Sequence, residues 1–279
     1  MTVASVTAKI MSAVLSAAFH SRFIKNENMS ANAGAATENS RSRFRPPRGC
    51  TLTRTPCGEC FVESLVPENT GTDTVIFHIH GGSFKIKLID LYRRLALKYS
   101  RTAGGAAVYS VDYRIMPEYI FPSQLDDVMS AWDMLMSQGV KPENVIAVGD
   151  SSGANLVLAL AQKLRDSGRP MPKKLVCFSL WGDMTACGES YERNCHSDPF
   201  YGIAKKESFH EHEAYFRRRP KYAGEHDLSD PYLSVSFADF SGFPPTVFFC
   251  GTAEVGESDT DTAFASAISA GIDAKLFKY

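Results

Sequence analysis

Apolar and polar positions alternate along this chain with a period that switches repeatedly between that of a strand and that of a helix. Short apolar runs rich in β-branched and aromatic residues occupy 74–79, 106–111, 144–149, 174–181, 246–250 and 274–279. Their length and the turn residues around them predict buried strands. Between them the apolar positions return at helical spacing, which predicts helices over 89–102, 124–137, 152–166 and 259–270, several closing on a glycine such as Gly139, Gly168 or Gly271. Two alternating runs, 51–55 and 61–66, flank Cys57-Gly58-Glu59-Cys60 and predict a hairpin. Strand–helix alternation of this kind specifies the α/β class, with a mostly parallel central sheet and helices on both faces. Ligands of such sheets bind beyond the carboxyl ends of the strands.

The N-terminal pattern is different. Val3, Val6, Ile10, Val14 and Phe19 lie near helical spacing with Lys9, Ser12 and Ser16 between them, predicting an amphipathic helix over 1–24. The apolar stretch 11–19 would also serve as the core of a short signal peptide. From 26 to 49 the chain turns polar and passes through Pro46-Pro47, which reads as a mobile connection. No window reaches the roughly 18 apolar residues of a membrane span, so an integral membrane protein is not expected.

Composition narrows the function classes. A chain of 279 residues, 44% hydrophobic and 22% charged, can bury a large core. Its 30 basic and 31 acidic residues nearly cancel, leaving no field to draw it to nucleic acid or an anionic membrane. Seven cysteines at irregular spacing, with Cys177 and Cys250 inside strand runs, read as reduced thiols of a cytoplasmic protein. Cys57 and Cys60 with Cys50 could supply three zinc ligands. A fourth is still needed and a hairpin turn accounts for the C-x-x-C, so no metal is expected.

The chemistry concentrates at two strand ends. In Gly149-Asp150-Ser151-Ser152-Gly153 a buried strand runs into a serine among small residues and then into an apolar helix. A sharp strand-to-helix turn would lift the Ser151 hydroxyl above the sheet as a nucleophile, with the helix amino terminus facing developing negative charge. In His80-Gly81-Gly82-Ser83-Phe84 another strand opens into consecutive glycines. The amides of Gly81 and Gly82, with that of Ser152, are the expected oxyanion donors. His80 is expected to orient this loop, and His78, alternating with apolar neighbours, to be a satisfied interior residue.

These motifs, together with Asp112-Tyr113-Arg114-Ile115-Met116-Pro117-Glu118, Phe121-Pro122, Asp126-Asp127, Trp181, Asp183, Ser229-Asp230-Pro231-Tyr232-Leu233-Ser234 and Gly242-Phe243-Pro244-Pro245-Thr246, resemble the hormone-sensitive-lipase-like branch of the α/β-hydrolases over about residues 50–279. The resemblance implies the α/β-hydrolase fold, hydrolysis of a small-molecule carboxylic ester through an acyl-enzyme, and no cofactor. It implies a helical cap built from the N-terminal segment, 1–49, and an insertion at about 185–230 within the 50–279 domain. A homodimer is left open. Ser83 stands where the family usually has a third glycine. Gly251-Thr252-Ala253-Glu254-Val255 matches the family's glutamate variant, which makes Glu254 the acid; Asp259 is the runner-up, although it also fits the first turn of the next helix.

The family orders its triad as serine, acid, histidine. Here all seven histidines, the last being His226, precede Glu254. The resemblance places the catalytic histidine on the loop leaving the strand predicted at 274–279, so the chain reads as ending just before it. The alternative is a noncatalytic small-molecule binder on the same fold. In the insertion His196, His210, His212 and His226, with Phe200, Tyr201, Phe209, Tyr215 and Phe216, could line a pocket. A solvated helix face with an aromatic stripe turned inward is the simpler expectation, because imidazoles two residues apart on a helix diverge.

Overall fold

Alternate positions along each central strand are buried by different layers, which is what makes the strand runs so uniformly apolar. On one face Phe77, Ile79, Val111, Ala147, Cys177 and Phe248 join the main core. On the other Leu65, Ile76, Val108 and Val148 form a smaller cluster. The structure, a computed structural model, describes residues 42–279, and the helix expected over 1–24 lies outside the described residues.

Among the described residues the elements run β1 (Cys50–Cys57), β2 (Cys60–Pro67), β3 (Val75–Ile79), α1 (Asp90–Thr102), β4 (Ala107–Asp112), α2 (Ser123–Ser137), β5 (Val145–Asp150), α3 (Ser152–Asp166), β6 (Lys174–Phe178), α4 (Ser190–Arg193), α5 (Phe209–Phe216), β7 (Thr246–Cys250), α6 (Glu257–Ser269) and β8 (Ala274–Lys278). The strands form one sheet in the order β1-β2-β4-β3-β5-β6-β7-β8. β1 and β2 pair antiparallel, as do β2 and β4, and every other pair is parallel. This is the mostly parallel α/β sheet that the pattern predicts.

Helices α2, α3 and α6 pack on the main core face, and α1 covers β3 and β4 on the other. α3 is buried nearly all round, from Ser152 to Gln162, because Leu233, Val235 and Phe240 close over it from outside. Its continuous apolar run follows from that position. Phe77 meets Trp132 of α2 edge-on, with ring centroids 5.8 Å apart and planes at 81°. No helix among the described residues is long and apolar enough to cross a membrane.

Two details differ from the sequence pattern or sharpen it. The strand predicted over 174–181 ends at Phe178, because Ser179 takes a left-handed φ of 47° and turns the chain out of the ladder. Cys57 and Cys60 face each other across the two-residue turn of the β1–β2 hairpin, and the buried Cys60 thiol donates to the carbonyl of Cys57 at 3.1 Å.

The segment between β6 and β7 carries α4 and α5. It has an apolar cluster of its own, Ala186, Tyr191, Cys195, Ile203, Phe209 and Phe216, which also takes in Val255 beyond β7. α5 begins at a capping box in which Ser208 accepts from the Glu211 amide and the Glu211 carboxylate accepts from the Ser208 amide.

Trp132 is fully buried. Its replacement by alanine should lower the unfolding free energy by about 3–5 kcal/mol, the range for deleting a large core aromatic. Urea denaturation measures this, and a loss below about 1 kcal/mol would contradict the packing described.

Candidate active site

β5 lies between β3 and β6 near the middle of the sheet, so the turn at its carboxyl end is flanked on both sides. Ser151 has φ 53° and ψ −119°, a conformation that disfavours any residue with a β-carbon and costs about 1–3 kcal/mol. Its surroundings hold it there. The Ser151 amide donates to Phe178 O at 2.9 Å, and its carbonyl accepts from Asn155 N at 3.1 Å and Trp181 N at 3.4 Å. Both flanking glycines are required by contact. A β-carbon on Gly149 would lie 2.5 Å from the Gly153 carbonyl, and one on Gly153 only 2.1 Å from Ile79 O. The first turn of α3 therefore rests on the ends of its own strand and of β3.

The loop after β3 crosses this turn. The Gly81 amide donates to Asp150 Oδ1 at 3.0 Å, and a β-carbon on Gly81 would lie 2.4 Å from Asp150 Oδ2. This corrects the expectation that Gly81 supplies an oxyanion donor: its N–H is already spent on the carboxylate beside Ser151. The next three residues, Gly82, Ser83 and Phe84, have φ of 110°, 55° and 59°. Phe84, buried and stacked on Tyr222, anchors the loop. Among the described residues the amides of Gly82, Ser83 and Ser152 have no acceptor. Ser152 opens α3, so its amide carries the positive end of that helix.

Asp150 itself is buried, and burial pushes its carboxyl up to about 6 although the Gly81 amide and the Tyr92 hydroxyl favour the ionised form. His80 lies flat on Tyr113 with centroids 4.3 Å apart, and its Nδ1 pairs with Gly81 O at 2.8 Å. Tyr113 donates to His80 O at 2.7 Å. His78 pairs through Nδ1 with Ser110 Oγ at 2.9 Å across the β3–β4 ladder. Burial lowers His80 to about 4 and His78 to about 3, so both rings are neutral near pH 7.

Beyond β7, Glu254 folds back on its own loop. Its Oε1 accepts from Gly251 N at 2.7 Å and from Ser179 Oγ at 2.8 Å. Among the described residues Oε2 accepts no hydrogen bond. Burial raises this carboxyl above the usual carboxylate range, with the Gly251 and Ser179 bonds opposing. Ser179, which sequence reasoning missed, follows the strand between β5 and β7 and ties Glu254 to the middle of the sheet. Nothing in its local pattern marks it; the partner is 75 residues away.

Asp259 has a different setting. It is 1% exposed, and its Oδ2 accepts from the amides of Gly182 and Asp183, each at 3.0 Å, and from the Tyr191 hydroxyl at 3.1 Å. It clamps the chain leaving β6, and α4 with it, to the first turn of α6. In the insertion Phe209 and Phe216 stack inward, centroids 5.5 Å apart, while His196, His210 and His226 are exposed and His212 lies 3.6 Å from Glu207. Among the described residues no histidine is hydrogen-bonded to Ser151 or Glu254.

Known proteins resemble this chain in sequence and in fold. The family model described as the alpha/beta hydrolase fold matches residues 76–279. An acetyl-hydrolase of Streptomyces hygroscopicus is 32% identical over 77% of this chain and 68% of its own length. An esterase of Acinetobacter venetianus is 34% identical over 65% of this chain, and the match spans 57% of that protein. Among solved structures, an esterase of the bacterial hormone-sensitive lipase family superposes with a TM-score of 0.79 at 26% identity, covering 99% of this chain and 89% of that one. Another, EstE5 soaked with p-nitrophenyl butyrate, has a TM-score of 0.80 at 25% identity, covering 99% and 88%.

Burial pushes the Asp259 carboxyl up to about 8, against the amides that favour its ionised form. A carboxyl with a raised pKa keeps in the fold a proton that the unfolded chain releases near pH 4. Its contribution to stability is therefore full below about pH 4 and is lost as the pH rises toward 8. Stability in urea should fall between about pH 4 and 8 and level off above that, and Asp259→Asn, which keeps one oxygen for the same donors, should flatten that fall. An unchanged slope in the variant would rule out this group as its source.

Proposed function

The chain belongs to the α/β-hydrolase family, in its hormone-sensitive-lipase-like branch, and we propose that it is a serine carboxylic ester hydrolase acting through an acyl-enzyme on small or medium acyl esters. The observation that carries this reading is the backbone of Ser151, held at φ 53° between two glycines whose β-carbons would collide with the neighbouring chain. A serine kept in a strained turn at the head of a helix, with amides nearby that have no acceptor, is arranged for attack rather than for packing.

In the proposed sequence the Ser151 Oγ adds to the ester carbonyl carbon. Negative charge develops on the carbonyl oxygen, where the amides of Gly82, Ser83 and Ser152 and the amino terminus of α3 stabilise it. Each well-aimed donor of this kind contributes roughly 10²–10³ in kcat. Collapse of the adduct expels the alcohol and leaves an acyl group on Ser151, and water then attacks the acyl carbon to release the acid.

The Ser151 proton needs an acceptor, and the resemblance assigns that role to a histidine oriented by the acid. Glu254 Oε2 is the acceptor open to such an imidazole, while Oε1 is occupied by Gly251 and Ser179. His78 and His80 do not fill the role, being neutral, buried and committed to other partners. Without such an acceptor, turnover would rest on the donors and binding alone, a residual acceleration of roughly 10³–10⁴ over water in the serine-protease case. The burial of His78 and His80 and their commitment to other partners are what the second reading, a small-molecule binder without turnover, takes as its support.

The two readings separate in one assay. Hydrolysis of p-nitrophenyl acetate should exceed that by Ser151→Ala, and added imidazole should raise the difference by supplying the proton acceptor from solution. Equal rates for the two proteins, with and without imidazole, would reject the esterase reading.

A further inference from the structure

The turn at 198–202 touches both halves of the site. Asp198 is 4% exposed, and its carboxylate receives three backbone amides from two segments. Oδ2 accepts from Val255 N at 2.8 Å, directly beside Glu254. Oδ1 accepts from Phe200 N at 2.7 Å and Tyr201 N at 2.9 Å. The turn has no room for another shape, because a β-carbon on Gly202 would lie 2.4 Å from Asp198 O and 2.7 Å from Cys195 O. Asn194 adds a second tether, donating through Nδ2 to Thr252 O at 3.1 Å and Glu254 O at 2.7 Å. One end of this turn is thus fastened to the loop of the acid.

The other end reaches the oxyanion loop. Tyr201 Oη lies 3.2 Å from Ser83 Oγ. Ser83 sits at φ 55°, where glycine would be easier to accommodate, immediately after Gly82. Its hydroxyl is what a glycine there would lack, and that hydroxyl is the group that meets the insertion.

We propose that the 198–202 turn is a strut that sets the spacing between the acid loop and the oxyanion loop, with Asp198 and Tyr201 as positioning residues and Ser83 as the latch that receives it. The proposal rests on the esterase reading for its catalytic consequence and on the contacts alone for its mechanical one. Contact runs from Glu254 through the Val255 amide, the Asp198 carboxylate, the Tyr201 ring and the Ser83 hydroxyl to the amides beside Gly82. Loosening either end frees the oxyanion donors relative to the acid without removing any group that touches the reacting atoms.

The test uses Tyr201→Phe and Ser83→Ala, which each remove one hydroxyl and keep the fold, and their double variant. In amide hydrogen exchange each single variant should speed exchange both at 82–86 and at 200–203 by about three- to tenfold, and the double variant by no more than the larger single effect. Asp198→Asn should in addition speed exchange at Val255. Unchanged exchange at 82–86 in Tyr201→Phe, or a double effect equal to the product of the singles, would overturn the strut. In p-nitrophenyl acetate hydrolysis both single variants should lower kcat by a similar factor with KM held within about twofold. A raised KM with unchanged kcat would make Tyr201 a substrate-contacting wall and overturn the positioning role. If the wild-type chain shows no Ser151-dependent hydrolysis with or without imidazole, the esterase reading fails by itself and the exchange measurements still decide the strut.

Discussion

Two backbones approach each other at the carboxyl ends of β3 and β5, and everything above the sheet depends on how closely they do so. A β-carbon on Gly153 would be 2.1 Å from Ile79 O, and one on Gly81 would be 2.4 Å from Asp150 Oδ2. Because neither position carries a side chain, α3 can start against the neighbouring strand and the loop after β3 can cross the turn that holds Ser151. The separation between Ser151 and the amides of that loop is therefore set by close backbone approach together with the Asp150 carboxylate. A displacement of about 1 Å at such a site can cost 10²-fold in rate, and the glycines spare the site that displacement.

How much of this could be read in advance depends on the range of each interaction. The strands, the hairpin and the nucleophile turn are local patterns, and their positions agree with the structure within a residue or two except where Ser179 cuts β6 short. The existence of an oxyanion loop was legible in Gly81-Gly82, but the choice of amides was not. That choice depends on Asp150, 69 residues away, which takes the first amide of the loop. Ser179 and Asp198 were invisible for the same reason: each is an ordinary turn residue whose role is defined by a partner more than fifty residues distant. Ser83 was visible as a departure from glycine, and only the contact with Tyr201 gives that departure a purpose.

Burial raises the pKa of three carboxyls around the strand ends, Asp150, Glu254 and Asp259, so desolvation alone does not tell them apart. Their bonding does. Asp150 uses its oxygens on the Gly81 amide and the Tyr92 hydroxyl, holding the oxyanion loop to the nucleophile turn. Asp259 gathers three donors on Oδ2 and is closed off from the surface, with Oδ1 buried and unpartnered. Glu254 has one oxygen fixed by two donors and the other free to accept, beyond the end of β7, which only β6 separates from the strand that leads to Ser151. An acid that must steady an imidazolium needs that combination, because the fixed oxygen sets its orientation and the free one receives the N–H. On this criterion Glu254 suits the role and Asp259 does not, although Asp259 has the more strongly raised pKa.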